Sequence, residues 1–264
     1  MTKVVRYLLF FIGVVQLFFA LAFFRQMPLA TNLWPFEGTT PLTFIFISSI
    51  FAAAAAPTLW AAASGTYGAL AGIGLDYLMI LAPVSILSFK LATSSSPQMT
   101  AYGIACVFGA LFGLGLFGWS ARIPLDRTIS MPRPVWWAFI IFIIALLIVS
   151  IQLILKVPNV IPWKITPELS LVIGWMFLGA AVYFAYGLLR PGWLNAAGQL
   201  IGFLAYDVVL IVPFVTRLPA TAPEFRLGLI VYTAVVTLSG LLAIFYLFLH
   251  KPTREQTWMR SNRA

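Results

Sequence analysis

Residues 135–155 read VWWAFIIFIIALLIVSIQLIL, a run with one serine, one glutamine and no charge. A helix crossing a bilayer needs about 20 consecutive, mostly apolar residues. A helix that is apolar on every face must be buried, either deep in a large core or in lipid. The rest of the chain decides between the two. Of its 264 residues, 62% are hydrophobic and 9% are charged, whereas soluble domains are about 45–50% apolar and about 25% charged. A soluble domain of this size must still cover its surface with polar groups, so the solvent of most of this surface is lipid.

Working outward from that run, eight stretches of spanning length are found, at 5–24, 41–63, 67–89, 101–120, 134–156, 167–189, 194–216 and 226–249. Hydrocarbon offers backbone groups no hydrogen-bond partners, so each is predicted to be helical. The predicted fold is therefore all-α: a polytopic membrane protein with eight transmembrane helices. The first stretch has the outline of a signal peptide, with Lys3 and Arg6 ahead of the apolar run and Ala20-Leu21-Ala22 near its end. Its unbroken length from Tyr7 to Phe24 is enough to span, so it is read as a retained helix.

The net charge of +9 would suggest nucleic acid in a soluble protein. Here the basic residues sit in short loops and in the tail, where membrane topology and anionic headgroups account for them, and no nucleic-acid partner is expected. With the N-terminus inside, ten basic residues fall on the inner side (Lys3, Arg6, Arg122, Arg127, Arg133, Arg190, Lys251, Arg254, Arg260 and Arg263) and six on the outer side (Arg25, Lys90, Lys156, Lys164, Arg217 and Arg226). This bias predicts both termini in the cytoplasm of a bacterial-type inner (plasma) membrane. Cys106 is the only cysteine and His250 the only histidine. They belong to separate segments, so no metal site, haem pair or Cys–His centre is expected, and no cofactor.

The two halves resemble each other. Asn32-Leu33-Trp34-Pro35-Phe36 matches Asn159-Val160-Ile161-Pro162-Trp163, and Thr40-Pro41 matches Thr166-Pro167. Gly68 and Gly72 match Gly198 and Gly202, Asp76-Tyr77 aligns with Tyr206-Asp207, and Pro83 falls on Pro213. The order is common and the offset nearly constant. This predicts two four-helix repeats, residues 1–125 and 126–250, followed by a short basic cytoplasmic tail at 251–264. Four helices is an even number, so the repeats are parallel, related by an axis near the membrane normal. Thr-Pro reads as a helix start in both copies, the hydroxyl accepting from an orphan N–H and proline suiting the first turn. Ser64-Gly65 and Arg190-Pro191-Gly192 read as tight inner turns, predicting antiparallel hairpins on either side of them. The tail reads as a solvated or headgroup-bound extension.

Trp34-Pro35-Phe36 with Thr40-Pro41-Leu42 after the first helix resembles an element of a group of uncharacterised bacterial multi-pass membrane proteins, with a degenerate second copy at 162–169. The likeness covers short patches in both halves and carries no activity with it.

The chemistry-bearing candidates are few. Asp76 lies about 14 Å and Asp207 about 20 Å from the start of its helix at 1.5 Å per residue, near the bilayer's middle. A carboxylate there costs several kcal/mol unless it is paired, protonated or wetted, so an intramembrane acid is a functional-site candidate. Tyr77 and Tyr206 sit beside the acids, and Gln199 is a further polar residue at the candidate ligand or ion site. No basic residue stands at matching depth, which favours protonation or a bound cation over an ion pair. Pro83 and Pro213 should kink their helices and free the carbonyls of Met79 and Val209. Gly68, Gly72, Gly198 and Gly202 read as helix-packing positions, and Asp76, on the face of Gly72, should meet another helix. The run Gly113 to Gly118 has the spacing of a dinucleotide loop but neither the strand nor the downstream acid, so close helix packing explains it.

Two functions follow. One is a transporter of ions or small molecules, proton-coupled or not, with a mid-membrane site between the repeats. The alternative is a non-catalytic subunit of a larger membrane complex, in which the acids only fix packing. An intramembrane enzyme would need clustered acids, histidines or a nucleophile near an interface, and the sequence has none. The partners implied are the lipid bilayer and either other membrane subunits or further copies of this chain.

Overall fold

The computed structural model describes residues 2–92, 97–126 and 128–258. Its helices are α1 (Thr2–Phe24), α2 (Pro28–Thr31), α3 (Pro41–Ser64), α4 (Ala71–Leu91, entered through a tight turn at Tyr67–Leu70), α5 (Pro97–Ser120), α6 (Arg133–Ile154), α7 (Pro167–Leu189), α8 (Trp193–Arg217), α9 (Pro223–Ile244) and α10 (Lys251–Trp258). There is no β-strand among the described residues. Eight helices are long and apolar enough to cross a membrane, and they overlie the eight stretches expected. The chain is an all-α integral membrane protein. Arg127, Arg260 and Arg263 of the inner basic set lie outside the described residues.

Local signals set the helix ends. The Thr166 hydroxyl accepts from the Leu169 N–H at 3.2 Å, with Pro167 in the first turn. Thr40 does not cap: its backbone is extended and proline follows, but its hydroxyl is buried without a partner. The start of α3 therefore rests on proline and an extended residue, and only the second Thr-Pro is a true cap. Helices α1 and α6 close alike, each on a left-handed residue that is not glycine, Gln26 (φ 51°) and Lys156 (φ 57°). The N–H of Met27 reaches the Ala22 carbonyl at 2.8 Å, and that of Val157 reaches Gln152 at 2.9 Å. These closings satisfy carbonyls that a helix end would leave orphaned.

The packing corrects one expectation. Gly65 (φ 73°) and the segment at 190–192 do turn the chain tightly, but neither turn makes a packed hairpin. No packed interface joins α3 to α4, and α7 meets α8 only sparsely, through Gln199 on Tyr183 and Gly187 and through the Phe184 and Phe203 rings. Instead α3 packs on α8 and α4 on α7, while α1 covers α3, α5 covers α4, α6 covers α7 and α9 covers α8. In their most apolar windows 61% of α3 and 56% of α7 and of α8 is buried, against 17% of α6. So α3, α4, α7 and α8 form the centre, and α1, α5, α6 and α9 present their apolar side chains to lipid.

Close approach of small residues explains these pairings better than side-chain bulk, because lipid is as apolar as the side chains and gives helices no hydrophobic reason to associate. A Cβ on Gly202 of α8 would lie 2.8 Å from the Ala53 carbonyl of α3, the oxygen that Pro57 leaves without an intrahelical partner. Gly72 of α4 lies against the Tyr183 ring of α7, and Gly68 against the Ile123 carbonyl. Gly198 is different: its nearest neighbours would be 3.5 Å from an added Cβ, so packing does not demand glycine there. Gly113 meets the Gly74 carbonyl and the Tyr77 Cβ, whereas Gly115 and Gly118 face open space. The glycine run thus serves the α4–α5 contact.

Within the tail, residues 251–258 form a helix, α10, that packs on the end of the bundle; residues 259–264 lie outside the described residues. Thr253 and Thr257 of α10 are buried. The Trp193 indole donates to the Thr253 carbonyl at 3.0 Å and the Thr257 hydroxyl at 2.9 Å, and the Trp60 indole to the Thr257 carbonyl at 3.3 Å. Buried indole N–H groups need partners, and α10 supplies them.

Candidate functional site

Asp207 is carried on α8 with its side chain 2% exposed. Ser239 of α9 donates to its Oδ2 at 2.8 Å. The next residue, Gly240, lies beside the carboxylate, where an added Cβ would stand 3.5 Å from Oδ2, an ordinary contact. The other oxygen, Oδ1, is buried and has no hydrogen-bond partner. Asp76, on α4, is half-buried, and its Oδ1 too is buried without a partner. Opposite it on α7 stands Gly179, where any Cβ would overlap the carboxylate. Glycine at 179 is what makes room for Asp76, whereas Asp207 is held by the Ser239 hydroxyl.

Both acids line one cavity of about 520 Å³, bounded by α3, α4, α6, α7, α8 and α9. Its walls are mainly aliphatic and aromatic, among them Leu146, Phe177, Phe184 and Phe203. Its polar groups are the two acids, Ser239 and the tyrosines Tyr183, Tyr206 and Tyr232. The hydroxyls of Tyr206 and Tyr232 are bonded to each other, and that of Tyr183 is buried without a partner. No Lys, Arg or His lines it. A volume within roughly 300–1,000 Å³, apolar walls and a few convergent polar groups are the usual features of a small-molecule site.

A second cavity of about 420 Å³ lies beyond Asp76, between α1, α3, α4, α5 and α7. Tyr77 lines this one, where the Gln16 amide donates to its hydroxyl at 2.5 Å. Asp76, Ile50, Ala54, Ile80 and Met176 line both cavities and form the partition between them.

The structure therefore brings Asp76, Asp207 and Tyr206 into one cavity and Tyr77 into its neighbour. Gln199 belongs to neither. It is fully buried between α8 and α7, its amide donates to the Tyr183 carbonyl at 2.5 Å, and it lies against Gly187. Gln199 is an interhelical strut rather than a lining residue. Pro213 is buried within α8 and Pro83 lies within α4, and neither lines a cavity. Ser239, Tyr232, Tyr183 and Gly179 were not singled out in the sequence. The Ser239-Gly240 pair in the apolar α9 was the one available signal; nothing marked Gly179 among the small residues of α7. Among the described residues no group of three or more His, Cys, Asp or Glu could hold a metal ion.

Comparison with protein-family models, with curated proteins and with solved structures gives no match for this chain. The class the fold defines is an eight-span integral membrane protein with an acid-bearing internal cavity, and the functional reading rests on that cavity.

Proposed function

We propose that this protein is a membrane transporter whose substrate site is the larger cavity, with Asp76 and Asp207 as the substrate- or ion-binding groups. The observation that carries it is the presence of two acids from apolar spanning-length helices on one cavity of about 520 Å³, each with a buried oxygen that nothing in the protein satisfies. An unsatisfied buried polar atom destabilises the fold by about 1–3 kcal/mol, so a bound cation or donor group would stabilise both acids.

We take the transporter to be two parallel four-helix repeats, 1–125 and 126–250, with the site at their junction. Helix pairing supports this: exchanging α1, α3, α4 and α5 for α6, α7, α8 and α9 turns each principal contact into another. The cavities correspond as well. Gln16 and Leu146, Tyr77 and Asp207, Tyr102 and Tyr232, and Gly109 and Ser239 are each 130 residues apart, the first of each pair lining the smaller cavity and the second the larger. Ser48 of α3 donates to the Ala20 carbonyl of α1 at 2.7 Å, and Ser150 of α6 donates to the Gly174 carbonyl of α7 at 2.9 Å, the same crossing with the serine on the opposite helix. The basic-residue bias supports cytoplasmic termini in a bacterial-type inner membrane.

The test is solute flux into proteoliposomes by wild type and by the double variant Asp76→Asn, Asp207→Asn, with monodisperse elution as the folding control. Flux that falls to background in a well-folded variant supports the site. Full flux in the variant removes it. Stoichiometric co-extraction with other chains in mild detergent would favour the reading as a subunit of a larger complex.

A further inference from the structure

We infer that the larger cavity takes a lipophilic amine, a molecule with an apolar body and a protonated nitrogen, admitted sideways from the bilayer between α6 and α9. This rests on the reading of the cavity as a binding site and names its ligand class.

The body follows from the walls. They carry no basic residue, so an anionic headgroup such as a phosphate or carboxylate has nothing to pair with. The aliphatic and aromatic lining suits a hydrocarbon body, and the faces of Phe177, Phe184 and Phe203 can attract a cation.

The nitrogen follows from Asp207. Its counterpart 130 residues earlier is Tyr77, whose hydroxyl is already bonded to Gln16. The counterpart of Gln16 is Leu146, which donates nothing. In the larger cavity Asp207 is therefore left with Ser239 as the donor to Oδ2 and with a buried Oδ1 that no protein group satisfies. An ammonium group offers three donors and a charge to such an acceptor. Asp76 lines the same cavity and carries a second unsatisfied oxygen, Oδ1, buried beside Gly179.

The route follows from the gap. No packed interface joins α6 to α9, yet both line the cavity. The lining residues there, Ala145 on α6 and Leu227, Val231 and Val235 on α9, are exposed on the surface of the bundle. Counting from Pro223, the α9 residues lie about 6–18 Å along the helix at 1.5 Å per residue, within the hydrocarbon. A ligand already dissolved in lipid reaches Asp207 without crossing the headgroup layer.

The experiment is equilibrium binding of radiolabelled dodecylamine to the full chain in lipid nanodiscs, with empty nanodiscs subtracted. A primary alkylamine is an ammonium ion at neutral pH. We expect a saturable site, competed by unlabelled dodecylamine but not by dodecanol or dodecanoate, and at least about tenfold weaker in Asp207→Asn. The surface variant Val231→Trp, which needs no repacking of the interior, should slow association and leave the folded yield unchanged. The ligand class is wrong if binding is not saturable, if dodecanol or dodecanoate competes as well as the amine, or if folded Asp207→Asn binds like wild type. Unchanged association in Val231→Trp overturns the route. Saturable binding without flux in liposomes would sink transport and leave the ligand class standing; flux of another solute without amine binding would do the reverse.

Discussion

Asp207 and Asp76 are admitted to the interior by the residues opposite them. For Asp207 this is Ser239, and for Asp76 it is Gly179. The glycines make this testable. A methyl at Gly179 would overlap the Asp76 carboxylate and stand 2.7 Å from Ile80 Cγ1. Gly179→Ala should therefore lower stability by about 1–3 kcal/mol, as overpacking does, seen as a lower unfolding temperature in detergent. Gly198→Ala should do the opposite. Its nearest neighbours stand at 3.5 Å, so relief of glycine's backbone entropy in a helix should raise stability by about 0.5–1 kcal/mol. Equal losses at both positions would mean that α8 is packed as tightly at Gly198 as α7 is at Gly179, which the geometry denies.

At the scale of the element, α10 has a testable consequence. Helix α9 widens into a π-type turn over Phe245–Leu249, His250 breaks the run, and α10 folds back over the bundle end. The Thr253 hydroxyl ties it down, donating to the Tyr246 carbonyl at 2.6 Å, while its backbone carbonyl accepts from the Trp193 indole. Thr253→Val keeps the shape but leaves the Tyr246 carbonyl without that donor. Such a loss costs about 1–3 kcal/mol. Limited proteolysis should then cut within 251–258 faster than in wild type, while the spans stay protected. Unchanged protection would mean that the indole contacts alone hold α10.

For the whole molecule, eight spans put both ends of the described chain on one side and the α4–α5 connection on the other. The orientation and the count can be checked together. In a Cys106→Ser background, Lys90→Cys should react with an impermeant maleimide in intact cells, and Arg190→Cys only after permeabilisation; both positions are exposed. The reverse pattern would invert the orientation and keep the spans. Labelling of both from one side would break the eight-span topology. The interlocked centre, α3 on α8 and α4 on α7, also means that residues 1–125 and 126–250 bury their principal faces against each other. Separately expressed halves should be recovered only when co-expressed, and a stable isolated half would contradict that packing.

The existence, number and approximate ends of the spans were legible in the sequence, because lipid imposes a length and an apolarity on any segment that crosses it. So was the place of Asp76 and Asp207 within spanning helices rather than in loops. Partner choice was not legible. The tight turns at Gly65 and Pro191 suggested sequential hairpins, yet small-residue contacts such as Gly202 with Ala53 and Gly72 with Tyr183 drew the halves across each other. In lipid, close van der Waals approach decides which helices pair, and it depends on surface shapes that meet only in three dimensions. For the same reason only the tertiary structure could set Gln199 apart as a strut, add Ser239 and Gly179 to the acids, and leave α6 and α9 on one cavity without a packed interface between them.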